Sequence, residues 1–206
     1  MKLKCIVALL FGLIECNFSQ AQNIEVFGGV VMNQYYDNED QNPRYSSDYS
    51  SRAGFNTEIA IDSLNWDSLH VRFSVGFERY SSDLEIANNG TYEKVIFNKS
   101  VLTFAVYPAN FKFFDMIDFN AGLKYSLHLS DSYTGIEKSE IKSTKMNLGI
   151  SARLAFDFNI SNELVFSPQL GYFFGFGSEL DGLVKEARTN RYYINIGLQK
   201  KLTKKK

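Results

Sequence analysis

His128 and Ser130, two residues apart, come nearest in this sequence to a catalytic pair. Residues i and i+2 of an extended strand point to the same side. An imidazole there could take the hydroxyl proton if a carboxylate oriented it. Glu140, or Glu137 before it, lies in the charged stretch that follows and is the acid within reach. A second set of ionisable residues recurs on the polar phase of alternating segments: Glu58, His70, Arg72, Glu78, Asp118, Lys124, Arg153 and Asp157. Such a set could line a polar path for a solute, or its members could pair and fill a narrow interior. Charges held away from water need partners, and both signs are present on neighbouring segments. The expectation is therefore a charge network of Glu58, Arg72, Glu78, Lys124, Arg153 and Asp157. The two histidines fall at opposite ends of their segments. No metal-ligand spacing, phosphate loop or nucleic-acid motif accompanies them, so no metal and no cofactor is expected.

The elements that must position these residues are clearest from 144 to 176. Met146, Leu148, Ile150, Ala152, Leu154, Phe156 and Phe158 alternate with Lys145, Asn147, Gly149, Ser151, Arg153, Ala155 and Asp157. Ile160-Ser161-Asn162-Glu163 interrupts, and the alternation resumes with Leu164, Phe166, Pro168, Leu170, Tyr172 and Phe174. This is the two-residue period of strands, without the three-and-four spacing of a helix. The same period predicts strands over about 24–35, 51–62, 69–78, 93–107, 117–128 and 191–199. In 93–107 both phases hold apolar residues. Its alternation is expected to slip near Lys99-Ser100, as at a bulge, and to end at Pro108. The polar stretches 36–49, 81–92, 129–143 and 177–189 read as long loops. The other connections are short.

Eight strands with alternating long and short connections suit a closed antiparallel barrel. Strands of roughly eleven to thirteen residues, tilted near 45°, cover about 25–30 Å, the apolar thickness of a membrane. Closure satisfies every backbone donor and acceptor where water is absent. A soluble lipocalin-like barrel has the same period with its apolar face turned inward, so alternation alone leaves the wet face open. Strand length favours lipid outside, as do the glycines among the polar-face charges (Gly54, Gly76, Gly122, Gly149, Gly171, Gly197). Aromatics gather near strand ends: Tyr35, Tyr80, Phe174 and Tyr192 toward the long loops, and Trp66, Tyr107, Phe113, Phe114, Phe156 and Phe158 toward the short turns. They are expected to form two interfacial girdles. The fold class predicted is all-β: an eight-stranded up-and-down transmembrane barrel with short periplasmic turns and long extracellular loops.

Composition agrees. The chain has 206 residues, a formal net charge of −1 and 15% aromatics with only three prolines, unlike a disordered or nucleic-acid-binding protein. Lys2 and Lys4 precede an apolar run from Cys5 to Ile14, and Ser19-Gln20-Ala21 supplies small residues before a cut. Residues 1–21 are expected to be a cleaved secretory signal and 22–206 the barrel domain. Both cysteines lie in the leader, which leaves the mature chain without a disulfide.

The segments Phe119-Asn120-Ala121-Gly122-Leu123-Lys124-Tyr125 and Tyr192-Tyr193-Ile194-Asn195-Ile196-Gly197-Leu198, with the signal ending Ser-Gln-Ala-Gln, resemble small Gram-negative outer-membrane barrels of the PorT-like and OmpA-like kind. The resemblance implies an outer-membrane location. The lysine-rich tail after Leu202 departs from barrels that end on an aromatic. His128-Leu129-Ser130 also resembles the His-x-Ser-Asn motif of eight-stranded lipid A deacylases, although Asp131 replaces the asparagine and three strands follow. The expected role is non-enzymatic: structural, adhesive or accessory to the envelope or to secretion, in a monomeric barrel. Its partners would be membrane lipid and an envelope or secretion complex. The alternatives are a deacylase-like hydrolase using His128, Ser130 and Glu140, and a soluble lipocalin-like binding barrel.

Overall fold

Alternating side chains make each strand two-faced, and the chain resolves this by rolling its strands into a tube. The computed structural model describes residues 23–36, 47–66, 69–88, 91–114, 116–134, 141–182 and 187–202. The leader, its cleavage site and Glu140 lie outside the described residues. In chain order the strands are β1 (Asn23–Tyr36), β2 (Ser47–Trp66), β3 (Leu69–Asn88), β4 (Thr91–Phe113), β5 (Ile117–Thr134), β6 (Ile141–Ser143), β7 (Met146–Phe156), β8 (Phe158–Asn159), β9 (Leu164–Gly175), β10 (Leu180–Gly182) and β11 (Arg188–Lys201). Eight of them form the wall in the order β11-β1-β2-β3-β4-β5-β7-β9, every neighbour antiparallel, and pairing of β11 with β9 closes it. β8 extends the edge of β9, and β6 pairs with β10 in a separate two-stranded ladder above the wall. Short connections lie at the end where β1 begins, the periplasmic end for a barrel of this type.

The apolar phase is on the outside. Val26, Val30, Ile59, Leu123, Leu148, Ile150, Leu170, Ile194 and Ile196 are all exposed. A water-soluble barrel would bury this phase, so the lipocalin-like alternative is overturned and lipid is the solvent of the outer face. Part of the aromatic girdle faces as expected, with Phe174, Tyr192, Phe113, Phe114 and Phe158 outward. Tyr35, Tyr80 and Tyr107 do not: their side chains are buried in the interior. Their phase on the strand places them with the lumen residues.

Three expectations about strand ends are corrected. The stretch 81–92 is no loop, because β3 and β4 pair continuously from Arg72↔Tyr107 to Asn88↔Thr91 with Asn89-Gly90 between them. β2 and β5 also run higher than expected, with 20 and 18 residues, whereas β7 has 11 and β9 has 12. The outer rim is thus lopsided, raised along β2–β5. Pro108 does not end β4. It sits where the register with β5 shifts between Val106 and Ala109, and β4 continues to Phe113. A bulge leaves a residue without ladder pairing and so tolerates proline. The slip expected near Lys99-Ser100 exists at that height, but the extra residue, Leu129, belongs to β5. β4 keeps its phase and has apolar residues on both faces because Val95, Phe97, Val101 and Ala105 pack inward.

Candidate functional site

Inward positions of the eight strands converge on a lumen filled at three levels. Nearest the periplasm, Glu25 of β1 is 2% exposed and accepts hydrogen bonds from Arg72 of β3, Arg153 of β7 and Gln169 of β9; the Arg153 bond is 2.9 Å. Arg72 also reaches Asp62 at 3.1 Å, and Arg153 Nη1 donates to the Gln169 carbonyl oxygen at 3.1 Å. Gly197 makes the room. A Cβ there would lie 2.6 Å from Glu25 Oε1 and 2.7 Å from Gln169 Nε2. Isolated in a low-dielectric interior, any of these ions would carry a severe desolvation cost. Pairing opposite signs with additional hydrogen bonds offsets it.

At mid-height, Lys124 Nζ sits 2.7 Å from Glu78 Oε1 and 3.3 Å from Glu58 Oε2, and lies 4.6 Å from the Tyr193 ring centre. Tyr193 donates its hydroxyl to Glu78 at 3.2 Å. The residual space here, lined by Phe27, Glu58, Tyr107, Lys124 and Ser151 among others, is about 20 Å³. That is room for roughly one water.

At the outer mouth, Arg191 of β11 lies between the rings of Tyr80 and Phe173, with ring centres 4.6 and 4.7 Å away. Its Nη1 donates to Glu78 Oε2 at 3.0 Å and to Ser126 at 2.9 Å, and Nη2 donates to Glu179. Glu179 comes from the connection between β9 and β10, not from the wall. It also accepts from Tyr80 at 3.0 Å, Tyr35 at 3.3 Å and Asn147 at 3.0 Å, with Lys99 Nζ 3.6 Å away.

The expected network is therefore brought together in part. Arg72 and Arg153 meet at the lower level, and Glu58, Glu78 and Lys124 meet at the middle one. Asp157 is separate: it accepts from Ser167 at 2.8 Å and faces Lys112 at 3.5 Å, in an open periplasmic vestibule of about 270 Å³ shared with Asn23, Asn159, Gln199 and Lys201. Asp118 lies low on the inward face of β5 and accepts from Asn120 at 2.9 Å. The His70 side chain lies outside the described residues. Glu25, Lys99, Arg191 and Glu179 were missed. Arg191 stood on the polar phase of its strand, and Glu25 on a strand whose facing two adjacent glycines obscured. Glu179 carried no periodic signal at all.

The His128/Ser130 pair is corrected. The Leu129 bulge inserts one residue between them, so His128 pairs with inward Val101 while Ser130 pairs with Ser100 on the exposed outer face. They do not share a side. His128 instead lies 3.8 Å from Asp131, which the same bulge turns inward.

Residues 18–181 match the outer membrane protein beta-barrel domain. No curated protein sequence matches. Among solved structures the chain is similar to the outer membrane protein OprG from Pseudomonas aeruginosa, with 11% identity over 87% of this chain and 96% of that one and a TM-score of 0.50. It is also similar to the Neisserial surface protein NspA (16% identity, 87% and 97% covered, TM-score 0.44). A further similarity is to Ail, the attachment invasion locus protein of Yersinia pestis (12% identity, 87% and 99% covered, TM-score 0.42). The outward apolar band, the closed ladder and the match along most of the chain agree: this protein belongs to the outer membrane protein beta-barrel domain family and resides in the outer membrane.

Proposed function

We propose that this is a non-conducting, non-enzymatic barrel whose work is done at its outer rim, as a structural, adhesive or secretion-accessory component of the envelope. One observation carries the reading: paired charges obstruct the lumen at three levels, around Glu25, Lys124 and Glu179. An eight-stranded barrel has an interior just wide enough for side chains, and here they are tied to one another. What remains free to meet a partner is the raised β2–β5 rim. From Arg79 to Asn88 it extends about 30 Å along the strand beyond the apolar band, at ~3.3 Å per residue. Its outward face carries Arg52, Arg79, Glu85, Lys94, Ser130 and Ser132, polar groups suited to recognition. The glycine-aromatic segments 119–125 and 192–198 support a place among PorT-like barrels. The separation of His128 from Ser130 favours this reading over a deacylase.

The test pairs a conductance measurement with capture from intact cells. Purified barrel in planar bilayers should give no steady conducting steps. Crosslinking should capture an envelope partner through the intact barrel, and lose it when the β3–β4 hairpin is shortened by removing 83–96. Stable conductance altered by neutralising Arg72 or Arg153 would overturn the sealed-lumen reading. Loss of an acyl chain from lipid A that depends on His128 or Ser130 would overturn the non-enzymatic one.

A further inference from the structure

One carboxylate of the upper lumen does not come from the wall. Lys99, Lys124 and Arg191 are buried cations there; the wall carboxylates Glu58 and Glu78 bond Lys124 and Arg191, and inward Asp131 of β5 stands opposite Lys99 in the register. A further carboxylate, Glu179, is delivered by the connection after β9 and is 1% exposed. Donors from five strands receive it: Tyr35 of β1, Tyr80 of β3, Lys99 of β4, Asn147 of β7 and Arg191 of β11. Two cations, two phenols and an amide around two oxygens constitute a built carboxylate receptor.

Among the described residues, the segment that fills it is held by few backbone bonds. Phe176 N donates to Leu148 O at 2.8 Å, Glu179 N to Ala187 O at 2.8 Å and Thr144 N to Glu179 O at 3.1 Å, beside the three-residue β6–β10 ladder. The wall strands have long ladders on both edges, with register shifts only between β2 and β3 and between β4 and β5. A unit with so few bonds opens at lower cost than the wall.

We propose that the outer mouth is a carboxylate-binding site held closed by the chain's own Glu179, and that a carboxylate presented from outside displaces it. The exchange is nearly balanced. The incoming group inherits the same donors, Glu179 returns to water, and neither end state leaves Lys99 or Arg191 without an anion. Because Glu179 competes from the same chain at an effective concentration of the order of millimolar, the intact protein binds a free carboxylate weakly. Glu179→Gln keeps the size and the Asn147 bond but removes the charge, so the receptor becomes available.

The test uses the full mature barrel in detergent micelles, with acetate as probe and chloride at matched ionic strength as control. The Arg191 guanidinium and Asn147 side-chain amide NMR signals report occupancy. Glu179→Gln should bind acetate at least about tenfold more tightly than wild type, the gain expected when the charge-assisted competitor is removed. Lys99→Gln added to Glu179→Gln should abolish that gain. In wild type, acetate and not chloride should speed hydrogen exchange at the Thr144 amide, and this measurement stands even if the variants fold poorly. A glutamate-bearing tripeptide that acts like acetate, with an inactive glutamine counterpart, would assign the site to acidic polypeptide. Action by acetate alone would assign it to small carboxylates. Equal acetate affinity in wild type and Glu179→Gln, or an unchanged Thr144 exchange rate, would overturn the proposal.

Discussion

Glu25→Ala should be among the most damaging single truncations in the lumen. The carboxylate it removes is shared by Arg72, Arg153 and Gln169, and the two arginines are only 2% and 6% exposed. Arg72 retains Asp62 at 3.1 Å, but Arg153 is left with the neutral Gln169 carbonyl at 3.1 Å. Removing one partner of a buried pair typically costs about 3–5 kcal/mol, because the remaining charge stays desolvated. Retention of Asp62 puts the expected loss near the bottom of that range, about 3 kcal/mol. Reversible urea unfolding in lipid vesicles, followed by circular dichroism and by the gel shift between heated and unheated samples, measures it. The double variant Glu25→Ala with Arg153→Met should recover at least half of the loss, since it removes the stranded charge as well. A single-variant change within about 0.5 kcal/mol, the size of an ordinary surface substitution, would refute the account. So would a double variant no more stable than the single one.

The remaining predictions test the outer face, the space beside Glu25 and the mouth. Ile150 is 48% exposed on the lipid-facing phase of β7, so Ile150→Arg should destabilise the barrel by about 2–4 kcal/mol in vesicle unfolding if it lies near the bilayer midplane; a neutral result would place it outside the apolar band. Gly197→Ala places a Cβ 2.6 Å from Glu25 Oε1 and 2.7 Å from Gln169 Nε2 and should cost about 1–3 kcal/mol by overpacking, with part of the effect lost in a Glu25→Ala background, where the Gln169 contact remains. Glu179 lies outside the membrane-crossing strands; burial pushes its carboxyl up, but Arg191 and Lys99 pull it further down, from 4.5 to about 2. A depressed folded-state value means that its contribution is complete above about 4.5 and is lost as pH falls toward 2. Hydrogen exchange at Thr144 should therefore stay flat from neutral pH to about 5, once intrinsic rates are corrected, and rise below 4; a rise already between 7 and 5 would contradict it.

Much of the barrel was legible because lipid imposes a local rule on every strand. Met146 to Phe156 and Tyr192 to Leu198 alternate strictly, because one face meets hydrocarbon and the other a crowded interior. The resulting faces for Ile150, Arg153, Ile194 and Asn195 were readable residue by residue. Where the rule lapses, legibility lapsed with it. Above the apolar band the outward face of β3 and β4 meets water instead of hydrocarbon, so 81–98 carries a weaker pattern, although its backbone ladder is unbroken. At Leu129 one inserted residue reverses the facing of the rest of β5, and this separates His128 from Ser130. A bulge is a property of two strands together, and neither strand announces it alone. Partner choice inside the lumen was likewise outside the reach of periodicity. The inward phase identifies Arg72, Lys124 and Arg153 as residues that need counter-charges, but closure of β11 onto β1 and β9 decides that Glu25 serves two arginines. Glu179 shows the limit most plainly: its role rests on contacts with residues 12 to 144 positions away, set by where a connection falls over the mouth. Periodicity alone specifies the strands and which residues share a face, and strand length points toward lipid; which face is turned outward and which charges meet follow from closure of the barrel, because pairing across it depends on a register that only the assembled wall defines.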